Sequence, residues 1–158
     1  MPNKNEQAEQ AAALALKYEF DYGCCPQCVL AAVQETIGLV TDETIKASHG
    51  LSGGGGLSGV GLCGSLVGGI LALGAKRGRD RDKFARGKFI GNFTKADELS
   101  KAFREKFGGL TCRELQQQFT GRTWDLWKPE EYQAFSDSRG DQCARTAEFV
   151  TRWVVERL

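Results

Sequence analysis

Of the six cysteines in the sequence, three stand where a helix is expected to begin and a fourth lies close to such a start. Cys25 precedes Pro26, whose fixed φ suits the first helical position, and an apolar run follows, so Cys25 falls near an N-cap. Cys112 follows Thr111 in Thr-Cys-Arg-Glu, a capping-box pattern in which Thr111 bonds the amide of Glu114 and Glu114 reaches back. Cys143 comes two residues after Asp141, a good N-cap residue, and opens the amphipathic stretch that runs to Leu158. Cys63 follows a glycine-rich loop and leads into an apolar run, within two turns of a helix start. Free amides and the positive end of the helix dipole favour a thiolate over a thiol, and the thiolate is the form that ligates metals and attacks disulfides. Redox or metal chemistry is therefore the first expectation.

Cys25-Pro-Gln-Cys28 is a CxxC with proline inside it. It is compatible with thiol-disulfide exchange, in which Cys25 is the low-pKa nucleophile and Cys28 resolves the mixed disulfide, with one or two metal ligands, or with packing of small apolar side chains. Val29 follows where a haem-attachment motif needs His, so c-type haem is excluded at this motif. Gly59-Val-Gly-Leu-Cys-Gly64 matches GxGxxG in form. No strand precedes it, and no Lys-Ser/Thr pair follows, so neither a dinucleotide fingerprint nor a phosphate loop is supported. The bare backbone is instead read as bringing amides close to Cys63, with Gly61 and Gly64 flanking whatever that sulfur holds. His49, the only histidine, reads as a turn residue, which leaves Cys/His and Ser/His catalysis poorly supported. Trp124, Trp127 and Tyr132 read as a lid over the core.

The elements that must position these sulfurs are helical. Glu6 to Phe20 forms a first helix with Leu14, Leu16 and Phe20 as its apolar residues. Pro26 to Ile37 forms a second, with Val29, Leu30, Val33 and Ile37 on one face and Gly38 as its C-cap. Thr41 to Ser48 is a short third. From Ser52 to Gly61 six of ten residues are glycine, so this is a loop. A helix from about Leu62 to Gly74 follows, then a charged turn from Ala75 to Lys83. Phenylalanines then recur at helical intervals from Phe84 to Phe107. Cys112 to Phe119 is another helix, Trp124 to Phe135 is an irregular aromatic segment broken by Pro129, and a last helix buries Ala147, Val150, Val154 and Leu158. No long stretch alternates with period two. The expectation is one all-α domain over residues 1–158, a helical bundle around the apolar glycine-rich helix, where Gly64/Gly68 and Ser65/Gly69 let a neighbour pack closely.

At 158 residues the chain can build a real core and is short for two domains. Twenty-one basic against twenty acidic residues leave a net charge of +1, which gives no reason to expect nucleic acid or an anionic membrane as partner. The N-terminus is polar and lacks the apolar core of a secretory signal, so a cytoplasmic location is expected, where six cysteines point to metal or catalysis more than to disulfides. The run Gly61 to Ala75 falls short of the roughly 20 apolar residues of a membrane span.

The order Cys25, glycine loop, Cys63-Gly-Ser-Leu-Val-Gly68, Thr111-Cys112-Arg-Glu-Leu115 and Cys143 resembles the redox-active family named for its C, GCAxxG, C, C cysteine pattern. The resemblance covers most of the chain. Two departures stand at the central motif: Cys63 precedes Gly64, and Ser65 stands where Ala is usual. The resemblance implies redox chemistry carried by Cys25, Cys63, Cys112 and Cys143, and relatives within split-Soret cytochromes carry an iron-sulfur centre beside their haems. Cys24 and Cys28 are additional, as a larger ligand set or a local dithiol. The resulting expectation is an iron-sulfur protein for electron transfer, working with a redox partner protein, with homodimerisation left open. Cys25, Cys63, Cys112 and Cys143 are its candidate ligands, with Cys28 as a further one. The alternatives are thiol-disulfide or sulfur transfer through Cys25/Cys28 or Cys25/Cys63, and a structural zinc site with four cysteine ligands. The cysteines are 38, 49 and 31 residues apart, so any shared site must be assembled by the fold.

Overall fold

The computed structural model describes residues 1–158 and is all-α. Its helices are α1 (Lys4–Tyr22), α2 (Cys25–Ile37), α3 (Asp42–Ala47), α4 (Gly64–Arg77), α5 (Ile90–Phe107), α6 (Cys112–Thr120), α7 (Pro129–Arg139) and α8 (Gln142–Arg157). The one β-type pairing is an isolated antiparallel bridge between Leu62 and Thr111. No helix is long and apolar enough to cross a membrane.

Local sequence sets most of the helix ends. Asn3 accepts from the Glu6 amide at 3.0 Å while the Glu6 carboxylate accepts from the Asn3 amide at 2.8 Å, a capping box that starts α1. Thr41 and Thr111 accept from the amides of Thr44 and Glu114 and start α3 and α6. Gly38, Gly108 and Gly121 end α2, α5 and α6 in left-handed conformations. The segment from Trp124 to Phe135 differs from its expected irregularity: Pro129 is the first residue of α7, where its missing N–H is no loss, and it starts a helix instead of breaking one.

The core is a single cluster of buried side chains drawn from α1, α2, α4, α5, α6 and α8. α1 lies along α8 and presents Ala8, Ala11, Ala12 and Ala15 to the interior, a helical stripe of small residues that allows close approach. This corrects the expected apolar face of α1, since Phe20 is exposed and Leu14 and Leu16 are only half-buried. Arg152 of α8 pairs with Glu9 of α1 at 2.7 Å across the outside of that contact. α4 sits at the centre, against α2, α5 and α8. A methyl group at Gly68 would stand 2.9 Å from the Val29 Cβ of α2, and one at Gly69 would collide with Val150 of α8 and lie 2.9 Å from Leu99 of α5. The phenylalanine run divides: Phe84 and Phe93 are exposed, and only from Leu99 and Phe103 onward does α5 face the core, where Phe103, Phe107 and Phe149 stack.

Packing thus accounts for Gly68 and Gly69 of α4 but not for Gly74, so substitutions along this helix should differ in sign. Gly69→Ala is expected to destabilise the protein by about 1–3 kcal/mol through overpacking. Gly74→Ala, whose methyl meets nothing within 4 Å, is expected to stabilise it by about 0.5–1 kcal/mol through helix propensity. Urea denaturation of the two variants measures both effects.

Candidate functional site

The helix starts carry the cysteines as their first-turn or capping residues. Cys25 is the first residue of α2, Cys63 the N-cap of α4, Cys112 the first residue of α6 and Cys143 the second residue of α8. Three contacts bring these four ends together. A methyl at Gly64 would stand 2.7 Å from Pro26 Cδ and 3.1 Å from Cys25 Cβ, so the bare Gly64 lets α2 lie directly on the start of α4. The Leu62–Thr111 bridge then ties α4 to α6: the Cys63 amide donates to Leu110 O at 2.7 Å, and the Cys112 amide donates to Gly61 O at 3.0 Å. Finally, the Thr146 hydroxyl of α8 donates to Cys143 O at 2.6 Å and stands 2.8 Å from the Ser65 hydroxyl of α4, which leaves Ser65 as the donor in that contact.

The result is one cavity of about 60 Å³ whose wall includes Cys25, Cys63, Cys112 and Cys143. Space for one water needs about 10–15 Å³ on this measure, so the cavity has room for a group several times that size. No three His, Cys, Asp or Glu side chains close to the spacing that would hold one bare ion. The sulfurs surround a space, not a point. Leu57, Leu126, Tyr132 and Phe135 cover it from the loop and α7. Of the expected aromatic lid, Tyr132 takes part. Trp127 is exposed and latches the loop from outside by donating to Gly56 O at 3.0 Å, while Trp124 stacks under Arg122. Four consecutive glycines, Gly53 to Gly56, hold φ between +56° and +85°, a turn that side chains with a Cβ would strain, and they fold the loop back over the cysteines.

Burial dominates the electrostatics of the thiols. Desolvation pushes Cys63 up to about 11 and Cys143 up to about 12, and it raises Cys25 and Cys112 as well. This corrects the expectation that helix-start dipoles leave these groups as thiolates: an uncompensated charge among such buried groups costs more than the dipoles return. The dipoles and donors act in the opposing direction. Backbone amides of Ser65 and Leu66 hydrogen-bond Cys63, the Gln116 amide donates to Cys112 Sγ at 3.4 Å, and Arg139 faces Cys143. The donors to Cys63 therefore come from the first turn of α4. Gly64 lines the cavity, but Gly61 closes the loop, its amide donating to Gly54 O at 2.9 Å.

Cys28 and Cys24 point elsewhere. Cys28 is buried, donates to Gly23 O at 3.0 Å and borders a separate groove with Tyr18, Tyr22 and Gln27. Cys24 has left-handed backbone (φ +65°), borders the cavity near its loop side and lies 2.8 Å from Ser52 Oγ. His49 is an exposed turn residue outside the cavity. Three cavity residues had no sequence signal: Glu19, Arg139 and Thr146. Glu19 sits in an alanine-rich amphipathic helix where a carboxylate reads as solvent-facing, yet it is only 3% exposed. Arg139 is the last residue of α7, a helix that the sequence reading did not anticipate.

The fold is a helical bundle in which four cysteines gathered at helix N-termini line one cavity. Residues 23–157 match the family model described as "Putative redox-active protein (C_GCAxxG_C_C)", and the chain belongs to that family. No curated protein and no solved structure matched it.

Access should rank the thiols of the reduced, metal-free protein. Cys63 and Cys28 are buried, while Cys24 is partly exposed. Alkylation followed by peptide mass spectrometry is expected to label Cys24 at least about tenfold faster than Cys63 or Cys28, with the difference lost in denaturant.

Proposed function

We propose that this protein is an iron-sulfur redox protein for electron transfer, with Cys25, Cys63, Cys112 and Cys143 as the ligand set. The observation that carries the reading is that four cysteines from four separate helices line one cavity while Cys28, the partner that a thiol-exchange mechanism through CxxC needs, lies outside it. The donor set fits the group. Soft thiolates suit iron-sulfur clusters, and sulfurs around a space of this size suit a polynuclear centre better than a single zinc ion gripped at about 2.3 Å by each sulfur. When bound, such a cluster supplies one-electron transfer.

The chain's own groups have definable parts. The positive ends of α2, α4, α6 and α8 offset the negative charge that four thiolates bring. The Ser65 and Leu66 amides stabilise sulfur charge at Cys63, and Gln116 does so at Cys112; donors of this kind raise a reduction potential. Leu57, Leu126 and Phe135 exclude water from the cavity. Electrons would pass to a redox partner protein.

Anaerobic purification or reconstitution, followed by visible absorption and counts of iron and acid-labile sulfide, tests the reading. A brown protein containing both is expected. Serine at Cys25, Cys63, Cys112 or Cys143 should lower iron content or alter the spectrum, and Cys28→Ser and Cys24→Ser should do so far less. A colourless protein with zinc and no sulfide would replace the reading with a structural site. A metal-free protein, prepared without oxygen, that reduces a model disulfide catalytically and loses that activity on Cys28→Ser would replace it with thiol exchange.

A further inference from the structure

Glu19 is the one carboxylate in the wall of the cysteine cavity, and its surroundings leave it incompletely satisfied. It is 3% exposed, its Oε2 has no hydrogen-bond partner, and its nearest cation, Arg139, reaches only Oε1 at the long distance of 4.0 Å. Arg139 spends its other contacts on Ser136 Oγ at 3.4 Å and on the Phe135 ring. Buried carboxylates are ordinarily paired, fully hydrogen-bonded or bound to metal. The neighbours of Glu19 offer little else, since they are the Cys25 and Cys28 side chains. A thiol at Cys25 can share its proton with a carboxylate. A metal cation in the cavity would satisfy both the carboxylate and the Cys25 sulfur.

We infer that Glu19 is an oxygen ligand of the centre, so that the site is a mixed cysteine and carboxylate donor set and not an all-sulfur one. This rests on the metal-centre reading given above. Iron accepts carboxylate oxygen as well as thiolate, and Glu19 reaches the cavity from α1, a helix that brings no cysteine to it. Its position also says which side of the centre it serves. Glu19, Arg139 and Cys143 form the partition between the cavity and a second cleft of about 140 Å³, which opens between α1, α7 and α8.

X-ray absorption at the iron edge of the reconstituted wild-type protein is the deciding measurement. A shell of oxygen at about 2 Å beside the sulfur shell at about 2.3 Å is expected. The oxygen shell should vanish in Glu19→Leu, and both Glu19→Leu and Glu19→Gln should lose iron to a chelator about tenfold faster than wild type. Glu19→Gln keeps the side chain's shape and removes a desolvated charge, so urea denaturation of its metal-free form should show no loss of stability; a role confined to pairing with Arg139 would instead lower that stability. An all-sulfur shell in the wild type, or an oxygen shell that persists in Glu19→Leu, overturns the assignment of Glu19 and leaves the iron-sulfur reading standing. A wild-type protein that takes up no iron under anaerobic reconstitution overturns both.

Discussion

The contact on which the site depends is the one at Gly64, where the start of α4 meets the start of α2 with no side chain between them. With a Cβ at that position, Pro26 and Cys25 could not occupy their present places. The same closeness continues along α4 at Gly68, against Val29, and on its other side at Gly69, against Val150 and Leu99. α4 therefore serves as the ruler from which α2, α5 and α8 are spaced. Because packing density in a protein interior leaves no slack of the order of a methyl group, the spacing of the helices fixes the spacing of the sulfurs at their ends. α6 is held by a different means, the two-residue bridge of Leu62 and Thr111 with its flanking hydrogen bonds. Cys63 and Cys112 flank that bridge, each donating its amide to the opposite strand, so their separation is set by backbone geometry and not by side-chain packing.

The charges follow from this arrangement. Four helix starts aimed at one cavity create a positive field, and with nothing but neutral thiols inside, that field has little to act upon. Burial therefore wins and keeps the thiols protonated. An anionic group assembled in the cavity reverses the balance, since the desolvation cost is then met by the dipoles, by Arg139 at the end of α7 and by the donors on Cys63 and Cys112. Arg139 keeps its charge in the buried position, with Glu19 as the carboxylate beside it against the effect of desolvation.

Much of the fold was legible because its signals are local. Thr111 with Glu114, Thr41, Pro26 and Gly38 each mark a helix end through a backbone requirement satisfied within four residues, and the structure uses each of them so. The cysteines could be placed at helix starts for the same reason. What was not legible depends on partners far along the chain. Pro129 reads equally as a breaker or as a first helical residue, and α7 forms with Phe135 turned into the covered side of the cavity. The buried face of α1 consists of alanines because α8 lies close against it, and no pattern within α1 distinguishes that face from one built on Leu14 and Phe20. Glu19 shares that face, so its burial could be read only once α8 and α7 were in place.

The wide spacing of the four cysteines has a physical consequence for how such a site works. A motif with all its ligands in one loop can bind metal before the rest of the chain is ordered, and its folding is then the folding of that loop. Here the ligand-bearing ends belong to helices that all contribute to a single core. The sulfurs converge only when the loop entropy of three long intervening segments has been overcome, and that requires the core to be formed. Ligand convergence is thus a property of the native state as a whole. A group bound by these four residues stabilises native over unfolded chain without needing to nucleate either, which is the linkage expected of a centre that is added to a folded protein. Any such group would have to pass the cover formed by Leu57, Leu126, Tyr132 and Phe135. Its glycine loop is tied to α6 by the Arg113 amide donating to Gly59 O at 2.8 Å and the Cys112 amide donating to Gly61 O at 3.0 Å, and from outside by the Trp127 indole donating to Gly56 O, so motion of that loop would have to break backbone hydrogen bonds as well as the indole contact.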